Sequence, residues 1–212
     1  MLLTSGLLSI PSLANPITLR VSSGANSHTV SGNGSTPISF AGPVGPFVAN
    51  VTVGNTQPFL TAPDLLNLLS IDAKTKNCFG SCSLLVALTA TNFTQPVSFF
   101  KSTLLGTATS LRAAPLFSFS TYLSPTNTPF GQNILLGSCS GRFFVVNCMS
   151  TKAAFSGGLY SLTIALSIDA APNSSINVDS DISAVPEPAS MALLGFGLLS
   201  GALMLKQRAM HK

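Results

Sequence analysis

The chain has 212 residues, of which only 8% are charged and 46% are hydrophobic, and its formal net charge is +4. This length fits one domain plus export segments, and it is long enough to bury a sizeable core. Soluble domains usually carry about 25% charged residues, so the low share is typical of an exported β-protein and unusual for a cytosolic enzyme. The basic residues are scattered singly, which argues against nucleic-acid binding, because that requires clustered phosphate contacts.

The first predicted element is a secretory signal at residues 1–14. The stretch MLLTSGLLSIPSLANP is apolar, and Ser12-Leu13-Ala14 places small residues at the two positions that signal peptidase reads. We expect cleavage after Ala14. The absence of Lys or Arg before Arg20 departs from the usual basic start, and an N-terminal strand of the domain is the alternative.

Residues 15–183 show the period-two alternation of β-strands, with no long stretch of helical period. The clearest strand is GLYSLTIALSID, in which five large apolar side chains from Tyr160 to Ile168 share one face. The other candidates, in chain order, are ITLRVS, PISFAG, FVANVTVG, LLNLLSIDA, SLLVALTATNF, PVSFF, PLFSFSTYL, NILLG and GRFFVVNC, separated by turns rich in Gly, Pro and Asn. About ten short strands predict an all-β fold, a single β-sandwich of jelly-roll or immunoglobulin-like type. The polar stretch NSSINVDSDISA is either a final strand or a linker.

The chain closes on its longest apolar run, followed by a basic tail. Residues 191–205 carry no charge and predict a short hydrophobic helix of about 22 Å, against about 30 Å for the hydrocarbon core of a bilayer. Gly195, Gly197 and Gly201 also lower helix stability. We therefore expect this helix to enter the inner membrane transiently.

The residues that flank this helix complete a three-part segment, 184–212. Val185-Pro186-Glu187-Pro188 precedes the helix, and its prolines prevent the helix from extending backwards. Lys206 and Arg208 follow it and are expected to stay cytoplasmic. The arrangement resembles the PEP-CTERM sorting signal of Gram-negative bacteria.

That resemblance implies recognition and processing by an exosortase, an integral-membrane cysteine protease, during export. It also implies a place in the cell envelope or extracellular matrix, in species that make extracellular polysaccharide and biofilm. A plain C-terminal anchor and a core helix are the alternatives. GPFVANVTVG, APDLLNLLSIDA and YSLT also resemble one group of PEP-CTERM ectodomains, for which no activity is implied.

Four cysteines, Cys78, Cys82, Cys139 and Cys148, lie in the predicted exported domain. Export places them in an oxidising compartment, so we expect two disulfides. Three connectivities are open, and the local pairs Cys78–Cys82 and Cys139–Cys148 are favoured. Zinc is the alternative, but the x3 and x8 spacings fit structural zinc sites badly and no His lies near.

No residues form a convincing catalytic or metal site, and we predict no enzyme activity, no cofactor and no metal. GSCSG at 137–141 has the form of a nucleophile elbow, but a strand-like segment follows it where that motif requires a helix. His28 is expected at a loop tip, and only a close approach of Asp64 and Asp72 would supply a carboxylate pair. Asp179-Ser180-Asp181 is weak as a calcium site and is expected to be a solvated strand end.

The expected function is therefore that of an exported structural or interaction protein of the cell envelope or extracellular matrix. The alternative is a carbohydrate-binding module that recognises exopolysaccharide through an exposed aromatic residue such as Tyr122. The adjacent pairs Phe99-Phe100 and Phe143-Phe144 would each turn one ring outward in a regular strand. Exposed rings would mark an interaction patch, although burial of both members is the expectation.

Overall fold

The computed structural model describes residues 15–54, 64–76, 78–154 and 157–185. All of the regular secondary structure in these ranges is β-strand. The predicted signal peptide, the predicted helix 191–205 and the residues Pro186 to Lys212 lie outside them. Within the described ranges, no helix is long and apolar enough to cross a membrane. The strands are β1 (Ile17–Ser23), β2 (Asn26–Gly32), β3 (Ile38–Val44), β4 (Phe47–Val53), β5 (Asp64–Thr75), β6 (Cys82–Phe93), β7 (Phe99–Thr109), β8 (Leu116–Ser124), β9 (Ile134–Arg142), β10 (Val145–Ala153), β11 (Tyr160–Ala170) and β12 (Ser175–Ala184).

The strands form two six-stranded sheets in which every neighbouring pair is antiparallel. Sheet 1 has the order β2-β1-β6-β11-β8-β9, and sheet 2 has the order β10-β7-β12-β5-β4-β3. From β5 onward, every connection except β8 to β9 crosses from one sheet to the other. The expected all-β sandwich is therefore confirmed.

One apolar core lies between the two sheets. Leu19, Leu88 and Ile164 stand side by side across sheet 1 and are fully buried. Val51, Ile71 and Val178 do the same across sheet 2. Because successive side chains of a strand point to opposite faces, the period-two pattern delivers one row of apolar groups per strand to this core. Each large apolar side chain buried there contributes roughly 1.5–3 kcal/mol.

The described residues form twelve strands where about ten were predicted. β2 was missed, and the strand expected at PVSFF begins only at Phe99 and runs to Thr109. GRFFVVNC is not one strand, because β9 ends at Arg142 and β10 begins at Val145 in the opposite sheet. The polar stretch before the sorting signal is strand β12, which lies between β7 and β5 inside sheet 2.

The β8–β9 connection, residues 125–133, folds back over the outer face of sheet 1. Its Phe130 backbone N–H donates to Thr89 Oγ1 at 3.2 Å. The same Thr89 hydroxyl donates to Leu162 O at 3.1 Å and accepts from Thr163 Oγ1 at 3.3 Å. The Arg20 guanidinium also lies over the Phe130 ring, with its Cζ atom 4.3 Å from the ring centroid. One buried hydroxyl therefore joins the loop to two strands of the sheet.

Candidate functional site

Both disulfides lie where the chain crosses between the sheets. Cys78–Cys82 closes the β5–β6 connection, with Cα atoms 5.9 Å apart. Cys139–Cys148 joins β9 to β10, with Cα atoms 6.2 Å apart. These are the local pairs favoured by the sequence. Cys139 lies within strand β9 and is disulfide-bonded, so GSCSG does not form the strand-to-helix turn of a nucleophile elbow.

The second disulfide spans a gap between two sheet edges, which we call the seam. β9 is the last strand of sheet 1 and β10 is the first strand of sheet 2. A cavity of about 360 Å³ opens at the seam. It is lined by Ser102, Phe119, Ser138, Cys139, Ser140, Asn147, Cys148, Met149 and Ser150. Five of these nine residues are Ser or Asn, and none carries an ionisable group.

Beneath the seam, one hydrogen bond between polar side chains crosses the sandwich interior. Ser102 and Thr121 are fully buried on opposite sheets, and their hydroxyl oxygens are hydrogen-bonded at 2.5 Å. Gly137 on β9 lies against the Ser150 hydroxyl of β10, and a Cβ at 137 would collide with that oxygen. The absence of a side chain at Gly137 therefore gives the Ser150 hydroxyl room between the sheets.

Sequence reasoning missed this site, although one signal for it exists. Thr121 lies on the same inward face of β8 as the buried Phe117, Phe119 and Leu123. A hydroxyl at an inward-facing position of a strongly apolar strand indicates a polar partner across the core. Ser102 is that partner, but the pattern of a single strand does not identify it.

Asp72, Asp179 and Asp181 lie on the outer face of sheet 2. Asp64 and Asp72 are eight residues apart on the single strand β5, which corresponds to about 25 Å. They therefore do not form a carboxylate pair. Asp179 and Asp181 border a second cavity of about 230 Å³, and partial burial raises the pKa of Asp179. Among the described residues, no group of three or more His, Cys, Asp or Glu could hold a metal.

The other residues considered in the sequence are His28, Tyr122 and the two adjacent Phe pairs, and all of them lie in the described part of the chain. His28 is not at a loop tip but on the exposed strand β2, its ring centroid 5.0 Å from that of Phe40. Tyr122 is half-buried on β8. Each Phe pair turns one ring outward, contrary to the expected burial: Phe99 is 42% exposed beside the buried Phe100, and Phe144 is 50% exposed beside a half-buried Phe143.

The last strand leads directly to the segment with the predicted sorting signal. β12 ends at Ala184, and the Val185 N–H donates to Phe99 O on β7 at 2.9 Å. Val185 is the only described residue among those predicted to act in sorting; Pro186, Glu187, Pro188, Lys206 and Arg208 lie outside the described residues. The chain is therefore held in the sandwich up to the residue before Pro186.

Comparison with known proteins gives one family match. A model described as the PEP-CTERM protein-sorting motif matches residues 184–208. No curated protein matches the sequence significantly. Among solved structures, the chain is similar to one described as TmCBM61 in complex with beta-1,4-galactotriose, with a TM-score of 0.36 and 11% identity over 69% of this chain and 92% of that chain.

Proposed function

The chain carries a PEP-CTERM protein-sorting motif at residues 184–208, and from that premise we propose that it is an exported protein processed by an exosortase. The β-sandwich is then released to the cell envelope or the extracellular space. The position of the motif carries this proposal, because the match begins at Ala184, the last residue of β12. Cleavage after this point would remove the signal and leave all twelve strands in place.

Two further observations support export. Both cysteine pairs are disulfide-bonded, and structural disulfides persist in oxidising compartments outside the cytosol. The surface also relies on hydroxyl and amide groups, since only 8% of the residues are charged.

We infer that the sandwich is of the jelly-roll type and not the immunoglobulin-like type. Strands β5, β12, β7 and β10 are consecutive neighbours in sheet 2, and β6, β11, β8 and β9 are consecutive neighbours in sheet 1. Eight strands divided in this way, with nearly every connection crossing between the sheets, correspond to two four-stranded jelly-roll sheets. β1 and β2 extend sheet 1, while β3 and β4 extend sheet 2.

The proposed role of the exported domain is structural or interactive, without enzymatic turnover. The wide spacing of Asp64 and Asp72 along one strand supports this, as does the disulfide at Cys139. What the chain provides, on this view, is a stable sandwich delivered to the outside, with contacts made by its surface.

Mass spectrometry of the protein recovered from its host tests the sorting proposal. In cells with a working exosortase, we expect a mature form that lacks residues 1–14 and most of the segment after Val185, and that contains two disulfides. In cells without the exosortase, we expect the C-terminal segment to be retained. A full-length chain in the cytoplasm of both strains, with both termini intact, would overturn the proposal.

A second candidate function is the binding of an exopolysaccharide. The seam favours it, because a cavity of ligand size opens there, the Ser150 hydroxyl faces its interior, and none of its lining residues is ionisable. Hydroxyl and amide groups both donate and accept hydrogen bonds, as the hydroxyl groups of sugars require.

A further inference from the structure

We propose that one end of the sandwich docks on an anionic lipid bilayer and inserts exposed apolar side chains into it. This end, which we call the loop end, carries the connections β5–β6, β7–β8, β9–β10 and β11–β12, each of which crosses between the sheets. The chain leaves the sandwich at the opposite end, where Val185 pairs with Phe99, the first residue of β7. The 11 residues of β7 span about 33 Å, so the sorting motif begins a full strand length away from the loop end.

The most exposed large apolar side chains of the described residues lie at the loop end. Phe79 in the β5–β6 connection is 98% exposed, and Leu111 in the β7–β8 connection is 86% exposed. At the β9–β10 corner, Val145 is 70% exposed and Phe144 is 50% exposed. Hydration of so much apolar surface is unfavourable, and apolar groups exposed together mark an interaction site.

Hydrogen bonds and strand order bring these connections together. The Arg142 guanidinium donates from Nη1 to Ala114 O at 3.0 Å, which joins the β9–β10 corner to the β7–β8 connection. Thr75 Oγ1 donates to Ala171 O at 3.0 Å, which joins the start of the β5–β6 connection to the β11–β12 turn. The two joined pairs are adjacent, because β11 neighbours β8 and β12 neighbours β7. The exposed side chains therefore project from the same end of the molecule.

Phe79 is presented by a closed loop. The Cys78–Cys82 disulfide brackets it, and the next residue, Gly80, has a φ of +87°, which glycine adopts without steric cost. A side chain on a short closed loop loses little conformational freedom when it enters a new environment. The loop is therefore suited to inserting Phe79 into a surface.

The charges of the loop end complement an anionic surface. Lys76 and Arg112 are exposed in the two connections that carry the most exposed apolar side chains, and the connections at this end contain no acidic residue. Arg142 at the end of β9 is offset by Asp169 near the end of β11. The connections at the opposite end contain no charged residue. Basic groups are attracted to anionic headgroups while neighbouring apolar groups enter the acyl boundary, so the two sets act together at a bilayer.

The shape of the loop end favours a bilayer over a protein partner. Its apolar side chains project from separate connections instead of forming one flat patch. A protein partner would need a matching pocket for each of them, because protein interfaces are closely packed. Fluid acyl chains close around any projecting group.

A single introduced tryptophan tests the inference, since the chain contains no Trp. Phe79→Trp places the indole at the loop end. Leu159→Trp, at a position that is 52% exposed at the opposite end, is the matched control. Each variant is recovered from its host with both disulfides intact and mixed with vesicles of phosphatidylcholine, or of equal parts phosphatidylcholine and phosphatidylglycerol. Fluorescence emission is recorded, together with quenching by lipids brominated in their acyl chains.

We expect the emission of Phe79→Trp to move to shorter wavelength and to be quenched with the vesicles that contain phosphatidylglycerol, while that of Leu159→Trp stays unchanged. Because each indole reports only on its own surroundings, entry of residues 191–205 into a vesicle would not imitate insertion of the loop end.

Vesicle titration of variants without tryptophan measures what each group contributes. Phe79→Ser with Leu111→Ser should weaken binding to the anionic vesicles at least about tenfold, since burial of one large apolar side chain corresponds to roughly that factor. The control, Phe99→Ser with Leu159→Ser at the opposite end, should stay within about twofold. All variants should keep the melting temperature of the wild type, because the replaced side chains are exposed.

The basic residues are tested in the same titration. Lys76→Gln with Arg112→Gln should weaken binding to the anionic vesicles about tenfold. Its control, Lys101→Gln with Lys152→Gln, changes two cations near the opposite end of β7 and β10 and should stay within about twofold. An oligogalacturonate, a soluble polyanion, is titrated for comparison and should not bind.

Four results would overturn the inference. Unchanged emission of Phe79→Trp with both kinds of vesicle would reject docking on a membrane. A change for Leu159→Trp alone would place the contact at the end where the chain leaves the sandwich. Equal changes with and without phosphatidylglycerol would reject the anionic class of lipid. Binding of the oligogalacturonate without binding of vesicles would identify a soluble polyanion as the ligand. None of these results bears on processing by an exosortase, which the mass of the mature protein tests separately.

Discussion

Cys139 on β9 and Cys148 on β10 form a covalent link between the edge strands of two different sheets. Neighbouring strands within a sheet are also held by backbone hydrogen bonds, but β9 and β10 are not hydrogen-bonded neighbours in either sheet. At the seam, the disulfide therefore holds two strands together, as backbone hydrogen bonds do between neighbouring strands elsewhere in the sandwich.

Replacement of both cysteines, Cys139→Ser with Cys148→Ser, should lower the free energy of unfolding by about 2.5 kcal/mol. The chain-entropy model gives this value for a loop of the observed sequence separation of 9. It should also speed hydrogen exchange in β10, because the outer edge of that strand loses its link to sheet 1. Urea denaturation and exchange monitored by mass spectrometry measure the two effects.

The matched control for this variant is Cys78→Ser with Cys82→Ser. Its loop has a sequence separation of 4, so the same model gives about 2 kcal/mol, without faster exchange in β10. Equal exchange in β10 for the two double variants would contradict a special role of Cys139–Cys148 in closing the seam.

The buried hydroxyl of Thr89 yields a second prediction. Thr89→Val keeps the shape of the side chain but leaves the part-buried Phe130 N–H and the buried Thr163 hydroxyl without their acceptor, and a buried donor that loses its partner costs about 1–3 kcal/mol. We expect a loss of stability in that range, together with faster proteolysis of the 125–133 loop. Thermal unfolding and limited chymotrypsin digestion, which can cleave after Phe130, would measure these changes.

Thr18→Val is the control for this substitution. Thr18 lies beside Thr89 in the register of sheet 1, but its hydroxyl is bonded only to that of Ser31, at 3.1 Å in an exposed position. Its replacement should change stability by no more than about 0.5 kcal/mol. A loss as large as that of Thr89→Val would show that the buried network is not what holds the loop.

The sequence predicted the core strands well because each of them presents a row of large apolar side chains to the core. β11 alternates large apolar and small polar groups, and that pattern has one interpretation. β2 was missed because none of its residues is fully buried, as its burial along NSHTVSG shows. An edge strand of this kind is specified by its pairing with β1, which a local pattern does not contain.

The seam illustrates a different limit of sequence reasoning. Its lining combines residues of β7, β8, β9 and β10, which are brought together by two crossings between the sheets. The local pairing of Cys139 with Cys148 was expected from their spacing, but its role as a link between sheets depends on a corner at residues 143 and 144. GRFFVVNC gives no Gly or Pro signal at that corner, so it resembles one continuous strand.

Two glycines should differ sharply in their tolerance of a methyl group. A Cβ at Gly106 on β7 would collide with the backbone oxygen of Asn177 and approach Val178 Cα to 2.7 Å on the neighbouring strand β12. Backbone atoms in the middle of a sheet cannot move aside cheaply, and such overpacking costs typically 1–3 kcal/mol. Gly106→Ala should therefore lower the melting temperature by several degrees.

Gly137→Ala is the comparison, because its Cβ would first meet the hydroxyl of Ser150, the free end of a small side chain. Rotation of that hydroxyl relieves the contact, so we expect a cost below that of Gly106→Ala. Differential scanning calorimetry of the two variants decides the order. A larger loss for Gly137→Ala would mean that the seam is packed as tightly as the centre of sheet 2.

Asp179 should make stability depend on pH in a defined direction. Partial burial raises the pKa of this carboxyl above its ordinary value, so the folded state holds the proton more tightly than the unfolded state. By linkage, the contribution of this carboxyl to the free energy of unfolding falls as the pH rises from below the ordinary pKa through the raised pKa. It stays at that lower level at neutral pH. Asp179→Asn removes that fall, so its stability relative to the wild type should be higher at pH 7 than at pH 3. Because Asp179 is exposed on the face of β12, solvent screens the effect, which should stay within about 0.5 kcal/mol.

Urea denaturation at both pH values provides the measurement, and Asn177→Ala, a neutral change on the same face of the same strand, should show no such pH dependence. A relative stability of Asp179→Asn that is lower at pH 7 than at pH 3 would mean that the ionised carboxylate gains a favourable contact in the folded sheet, against the desolvation argued here.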